Sequence, residues 1–146
     1  VHLGADKNAI WRWIRSRQLA HEWRIKRTRR VVVVTQAAVR AFILTGGLVD
    51  SGAAPREPWR TLAAQVEARW RLEYINSFEL ADALGYDRGM ISTWLRTDHG
   101  LPLPAVPRVS NRPHYYSRAA VRAWLIAHPQ FAGPRARAAL GIDERE

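Results

Sequence analysis

One stretch of this chain occurs twice, and that repetition limits the possible folds more than any other feature. LGADKNAIWRWIR at residues 3–15 returns as LGYDRGMISTWLR at 84–96, an offset of 81. Leu, Gly, Asp, a basic residue, Ile, Trp, an aliphatic residue and Arg recur at the same places. A second block follows in the same order. TQAAVRAFI at 35–43 is matched by SRAAVRAWL at 117–125, now at an offset of 82. Two ordered matches with one residue of slippage between them mark a tandem duplication, and a duplication sets the architecture. The 146 residues are therefore read as two small units, each with a thin core.

Within the first copy, Gly4 supplies a tight turn and Asp6 suits the positive end of a helix that follows. Ile10, Trp13 and Ile14 share a face by three- and four-residue spacing and should be core. The opposite side carries Lys7, Asn8, Trp11, Arg12 and Arg15. Asn and Arg read base edges in a major groove; the plainer alternative for Arg12 and Arg15 is a solvated helix face. Trp11 leaves three roles open: stacking on a sugar, touching a thymine methyl, or packing on the neighbouring unit. Beyond this helix, WRIKRTRRVVVVT at 23–35 predicts two short strands around a tip at 26–30. Lys26, Arg27, Arg29 and Arg30 would then meet phosphates or enter a minor groove, unless the tip is only a solubilising loop. Thr35 should cap a helix to about residue 44, with Ala38, Val39 and Phe42 inside and Gly46-Gly47 stopping it.

The second copy carries a first helix that the first copy lacks: Asn76 and Glu79 have capping-box spacing, and Phe78, Leu80, Ala81 and Leu84 form a short apolar face. In the first copy that helix is absent, disordered or replaced by the helix expected at 57–74. The next helix should span about 87–97, with Ile91, Trp94 and Leu95 inward and Arg88, Gly89, Ser92, Thr93 and Arg96 outward. Ser and Thr bond to either base type or to phosphate. A second wing is expected at 101–114, where four prolines disfavour paired strands and Arg108, Ser110, Asn111, Arg112 and His114 form the tip. Tyr115 and Tyr116 match Val33 and Val34, so at least one should be core; Ser117 should cap a helix over 118–128. The tail from 131 on has room for one short helix and a loose end.

The expected fold is mainly α with small β-hairpin wings: tandem winged helix-turn-helix domains joined by a helical linker. The expected divisions are 1–47, a flexible join and linker helix at 48–75, 76–131, and a tail at 132–146. The linker helix, with Trp59, Leu62, Val66 and Trp70 at helical steps, could pack on a winged unit, pair two chains, or space two heads.

Charge narrows the function. The net charge is +10, and residues 1–45 hold ten Lys/Arg against two Asp/Glu. A field so concentrated favours a polyanion. The absence of cysteine excludes disulfides and thiolate metal sites. No apolar run reaches membrane-spanning length, and VHLGADK is not a signal peptide, so no membrane partner and a cytoplasmic location are expected. The histidines His2, His21, His99, His114 and His128 show no metal-ligand spacing, and no phosphate loop is present. The expectation is a binding protein with no catalytic residues, metal or cofactor.

LGADKNAIWRWIR with its basic hairpin and TQAAVRAFI resembles the winged helix-turn-helix of the MerR and phage excisionase superfamily, which includes AlpA-like regulators. The chain is also similar to the DNA-binding domain of phage terminase small subunits. LGYDRGMISTWLR with SRAAVRAWL looks like a second member. The resemblance implies major-groove roles for Lys7, Asn8, Trp11, Arg12, Arg15, Arg88, Ser92, Thr93 and Arg96. It implies wing or backbone roles for Lys26, Arg27, Arg29, Arg30, Arg108, Asn111 and Arg112. Double-stranded DNA is the implied partner, with another copy of the chain or a recombinase or polymerase as further candidates. The long dimerisation helix of the effector-sensing regulators has no counterpart. A phage or mobile-element regulator or excisionase-like architectural factor fits better, with a protein-interaction adaptor and a DNA-packaging site recogniser as alternatives.

Overall fold

In the computed structural model, which describes residues 3–106 and 113–143, five helices begin where a side-chain oxygen holds a free amide. Helix α1, Lys7–Arg15, starts after Asp6, whose carboxylate accepts from the Ala9 amide at 2.6 Å. Helix α2, Gln36–Leu44, starts after Thr35, whose hydroxyl accepts from the Ala38 amide at 3.1 Å. Such caps satisfy donors that the helix cannot. Between them β1, Glu22–Lys26, and β2, Arg29–Val33, form an antiparallel hairpin in register from Glu22↔Val33 to Lys26↔Arg29. Only Arg27 and Thr28 make the turn, and Arg27 takes a left-handed backbone, φ 56°.

The first compact unit runs Val1–Trp70. Its core gathers Trp13, Ile14, Leu19, Phe42, Ile43 and Val66, with the Trp13 and Phe42 rings 4.9 Å apart. Helix α3, Trp59–Glu73, brings Val66, Trp59, Leu62 and Ala63 to that core. Of the roles open to the linker helix, its first part takes packing on its own winged unit. Gly46 and Gly47 make the approach possible. A Cβ on Gly46 would fall 2.6 Å from the Trp70 ring, and one on Gly47 would overlap the Phe42 ring.

The second unit runs Arg71–Glu146. Strand β3, Tyr74–Asn76, leads into α4, Ser77–Leu84, through a complete capping box: Asn76 accepts from the Glu79 amide and Glu79 accepts from the Asn76 amide. Gly85, φ 73°, closes α4. Helix α5, Arg88–Met90, follows the Asp87 cap, passes into a π turn at Ile91–Leu95, and continues as α6, Arg96–His99. This run ends two residues later than expected and is not uniformly α.

A second antiparallel pair forms where none was expected. It joins β3 to β4, Tyr115–Ser117, with Ile75 opposite Tyr116. Ser117 caps α7, Arg118–Ala127; a 3-10 turn, Pro129–Phe131, and α8, Pro134–Leu140, complete the unit. Ile75, Leu80, Ile91, Leu95, Tyr116, Val121 and Leu125 form the core, and both Tyr115 and Tyr116 are buried. Ala136, Leu140 and Ile142 join it, so the short helix expected in the tail packs on the core. Phe78 departs from the expected apolar face: it is half exposed, under the Arg88 guanidinium at 4.0 Å. Ser77, Leu80, Ala81 and Ala83 take the buried side of α4 instead.

The duplication is visible in the backbone. Gly4 and Gly85 both take positive φ, Asp6 and Asp87 both cap, and Thr35 and Ser117 both cap. The chain thus combines helices with two small antiparallel strand pairs in a winged-helix-like arrangement. No helix among the described residues is long and apolar enough to cross a membrane.

Candidate nucleic-acid interface

Helix α1 divides its residues by period. Trp13 and Ile14 are buried, while Lys7, Asn8, Arg12 and Arg15 are exposed. Asn8, Trp11, Arg12 and Arg15 line one surface depression of about 350 Å³. The spacing 8, 11, 12, 15 is that of a single helical stripe, so the four side chains expected to act together do share a surface. Arg12 and Arg15 also sit in the last turn, where cations suit the helix dipole. Neither has a carboxylate within ion-pair distance among the described residues.

Trp11 is half-buried, and its ring lies 6.3 Å from that of Trp23 on β1. This contact lies inside its own unit and is none of the three roles left open for Trp11. Trp23 continues the stack: the Arg30 guanidinium lies over its ring at 4.7 Å, and His21 meets it edge-on at 6.2 Å. Trp23 pairs with Val32 and Ile25 with Arg30, so Trp23 and Arg30 are diagonal neighbours on one face of the hairpin. The depression on α1 therefore borders the hairpin through Trp11.

The hairpin is exposed along almost its whole length. Lys26 and Arg29 are directly opposed near its tip, with Arg27 in the turn. Like charges across a ladder repel, and an anion between them would relieve that repulsion. Arg30 is drawn over Trp23, so the four tip cations do not form one cluster. Arg24 is paired with Glu22 at 2.9 Å. Arg17, exposed just beyond α1 with φ 58°, adds a cation that spacing did not single out; the local charge count was the only signal for it.

The equivalent face of the second unit is quieter. Arg88 is held over Phe78. The Ser92 hydroxyl donates to the Arg88 and Gly89 carbonyls at 3.1 Å each, and the Thr93 hydroxyl donates to the Gly89 carbonyl at 2.6 Å. These back-bonds occupy the hydroxyl protons inside the helix, at the π turn. Arg96 remains exposed. Arg108, Asn111 and Arg112 lie outside the described residues.

Scans against family models, characterised proteins and solved structures find no match to this chain.

Proposed function

We propose that the protein binds double-stranded DNA in a sequence-specific manner, through two tandem winged helix-turn-helix units related to the MerR and excisionase superfamily. The observation that carries this reading is the stripe of Asn8, Arg12 and Arg15 on one face of α1, bordered by a projecting basic hairpin. A helix face with Asn and Arg fits the donor and acceptor pattern of the major groove. Lys26, Arg27 and Arg29 are then placed for phosphates, and counterion release supplies affinity. Linking two units raises effective concentration, so two modest contacts suffice without dimerisation.

In this reading the first unit is the stronger reader. The second has fewer free donors, since Ser92 and Thr93 bond to their own helix. The role is that of a phage or mobile-element regulator, excisionase-like architectural factor or packaging-site recogniser, working in the cytoplasm without catalysis. A protein-interaction role for the second unit is the alternative, favoured by the exposed Phe78 and Met90. Selection of bound sites from random duplex DNA by the full chain, followed by footprinting and a salt titration, tests the proposal. Affinity that falls steeply with salt and a footprint of one or two turns support it. A chain that ignores duplex DNA at low ionic strength refutes it.

A further inference from the structure

At one matched position the two units offer hydrogen bonds of opposite sense. The repeat offset of 81 sets Arg12 against Thr93, Asn8 against Gly89 and Arg15 against Arg96. Arg12 and Thr93 are both exposed. Arg12 lines the depression on α1 beside Asn8 and Arg15. Its guanidinium donates and cannot accept.

Thr93 has the other character. Its hydroxyl donates to the Gly89 carbonyl at 2.6 Å, one turn back in the same helical run. A hydroxyl has a single proton and a carbonyl can only accept, so that proton is committed. The exposed oxygen then meets a ligand through its lone pairs, as an acceptor. Its neighbours do not restore a donor. The Ser92 proton is shared between the Arg88 and Gly89 carbonyls at 3.1 Å each. Gly89 has no side chain where the first unit presents Asn8, and Arg88 is drawn over Phe78 at 4.0 Å.

We propose that the two units read opposite patterns in the major groove: Arg12 selects a guanine, and Thr93 selects a base with an exocyclic amine, adenine or cytosine. This rests on the DNA-binding reading above. Guanine presents the O6 and N7 acceptors that a guanidinium fits, whereas adenine N6 and cytosine N4 are donors. A guanine or thymine facing Thr93 would set a carbonyl oxygen against the threonine oxygen. Two acceptors so placed leave each other unpaired, and that mismatch rejects the wrong base. The preferred target is therefore asymmetric, and the chain settles on it in one orientation.

The experiment selects bound sites from random duplex DNA with the full chain and with its Thr93→Val and Thr93→Arg variants, their folds checked by circular dichroism. Valine keeps the branched shape and removes the oxygen. In the parent, one selected position should be guanine and another adenine or cytosine. Thr93→Val should erase the preference at the second position alone, weakening binding to the parent site by about three- to tenfold, the scale of one neutral hydrogen bond. Thr93→Arg should turn that position to guanine. A further measurement needs no variant: a duplex with purine in place of the selected adenine, or 2-pyrimidinone in place of the selected cytosine, lacks only the amine. It should bind the parent chain more weakly by the same factor, and Thr93→Val should bind both duplexes alike. Guanine or thymine at the second position, a preference that Thr93→Val leaves intact, or indifference of the parent to the missing amine overturns this proposal while DNA binding stands. A parent chain that retains no duplex at low ionic strength overturns both.

Discussion

The Trp11 ring on α1 lies 6.3 Å from the Trp23 ring on β1, tilted by 37°, and this pair ties the exposed helix face to the hairpin. The hairpin is held to its unit by this pair and by Val32 of β2, which packs against the core. Trp23→Ala removes the Trp11 contact and the Arg30 guanidinium's seat together. Aromatic and cation–π contacts of this kind contribute about 0.5–1.5 kcal/mol each. Amides of the β1–β2 ladder should exchange several-fold faster in the variant, with α2 amides unchanged. Unchanged ladder exchange would show that the hairpin stands without the stack.

Arg12→Ala and Lys26→Ala should separate recognition from attraction. Loss of a guanidinium at a base edge weakens binding by about 1–3 kcal/mol and relaxes preference at one position. Loss of a phosphate contact weakens binding to all sequences and lowers the salt slope by about one. Both side chains are exposed, so circular dichroism and thermal midpoint should match the parent. Binding isotherms on selected and scrambled duplexes, across a salt series, distinguish the two effects.

Gly4 and Gly85 are repeat partners with the same left-handed backbone and different surroundings. A Cβ on Gly4 would overlap the Ala54 carbonyl, while one on Gly85 meets nothing within 4 Å. Gly85→Ala should cost only the backbone penalty, about 1–2 kcal/mol. Gly4→Ala should cost more, because Ala54 must also move. Urea unfolding of the two variants gives the comparison, and equal losses would contradict it.

Tyr116 has a phenol pushed above its ordinary value of 10.0 by burial, with the Arg96 charge opposing the shift. The folded chain thus holds this proton more tightly than the unfolded chain. Its contribution is intact below about pH 10 and is lost as pH rises beyond that value. Tyr116→Phe should lessen the fall of thermal midpoint between pH 9 and 11, roughly the span around a tyrosine pKa, relative to the parent. A parallel fall in both chains would place the alkaline sensitivity elsewhere.

Short-range signals made much of this fold legible. Asp6, Thr35, Asn76 with Glu79, Asp87 and Ser117 each bond within three residues, so spacing alone announced where helices begin. The β-branched run beside an Arg-rich tip announced the hairpin, and the 8, 11, 12, 15 stripe announced its shared surface. What stayed hidden depends on distant partners. Strand β3 is only three residues, too short to show alternation, and it exists because Tyr115–Ser117 offers an edge. Periodicity showed that α3 had an apolar side, but not which core would take it. Phe78 has the composition of a core residue, yet it lies under the Arg88 guanidinium. The π turn at Ile91–Leu95 has no marker in the sequence.

Arg118 gives the second unit an unusual fastening. Its Nε reaches the Arg71 and Tyr74 carbonyls, and its Nη1 reaches the Ala139 carbonyl at 2.8 Å. One planar fork thereby stitches the opening and closing stretches of the unit to a residue near its middle, a service lysine's single ammonium would supply poorly. Because the Arg71 and Ala139 carbonyls bond to one guanidinium, the stretches that carry them lie close enough for a short loop to splice them. The unit could then be reopened at an exposed turn such as Gly100, giving a circularly permuted domain with the same core.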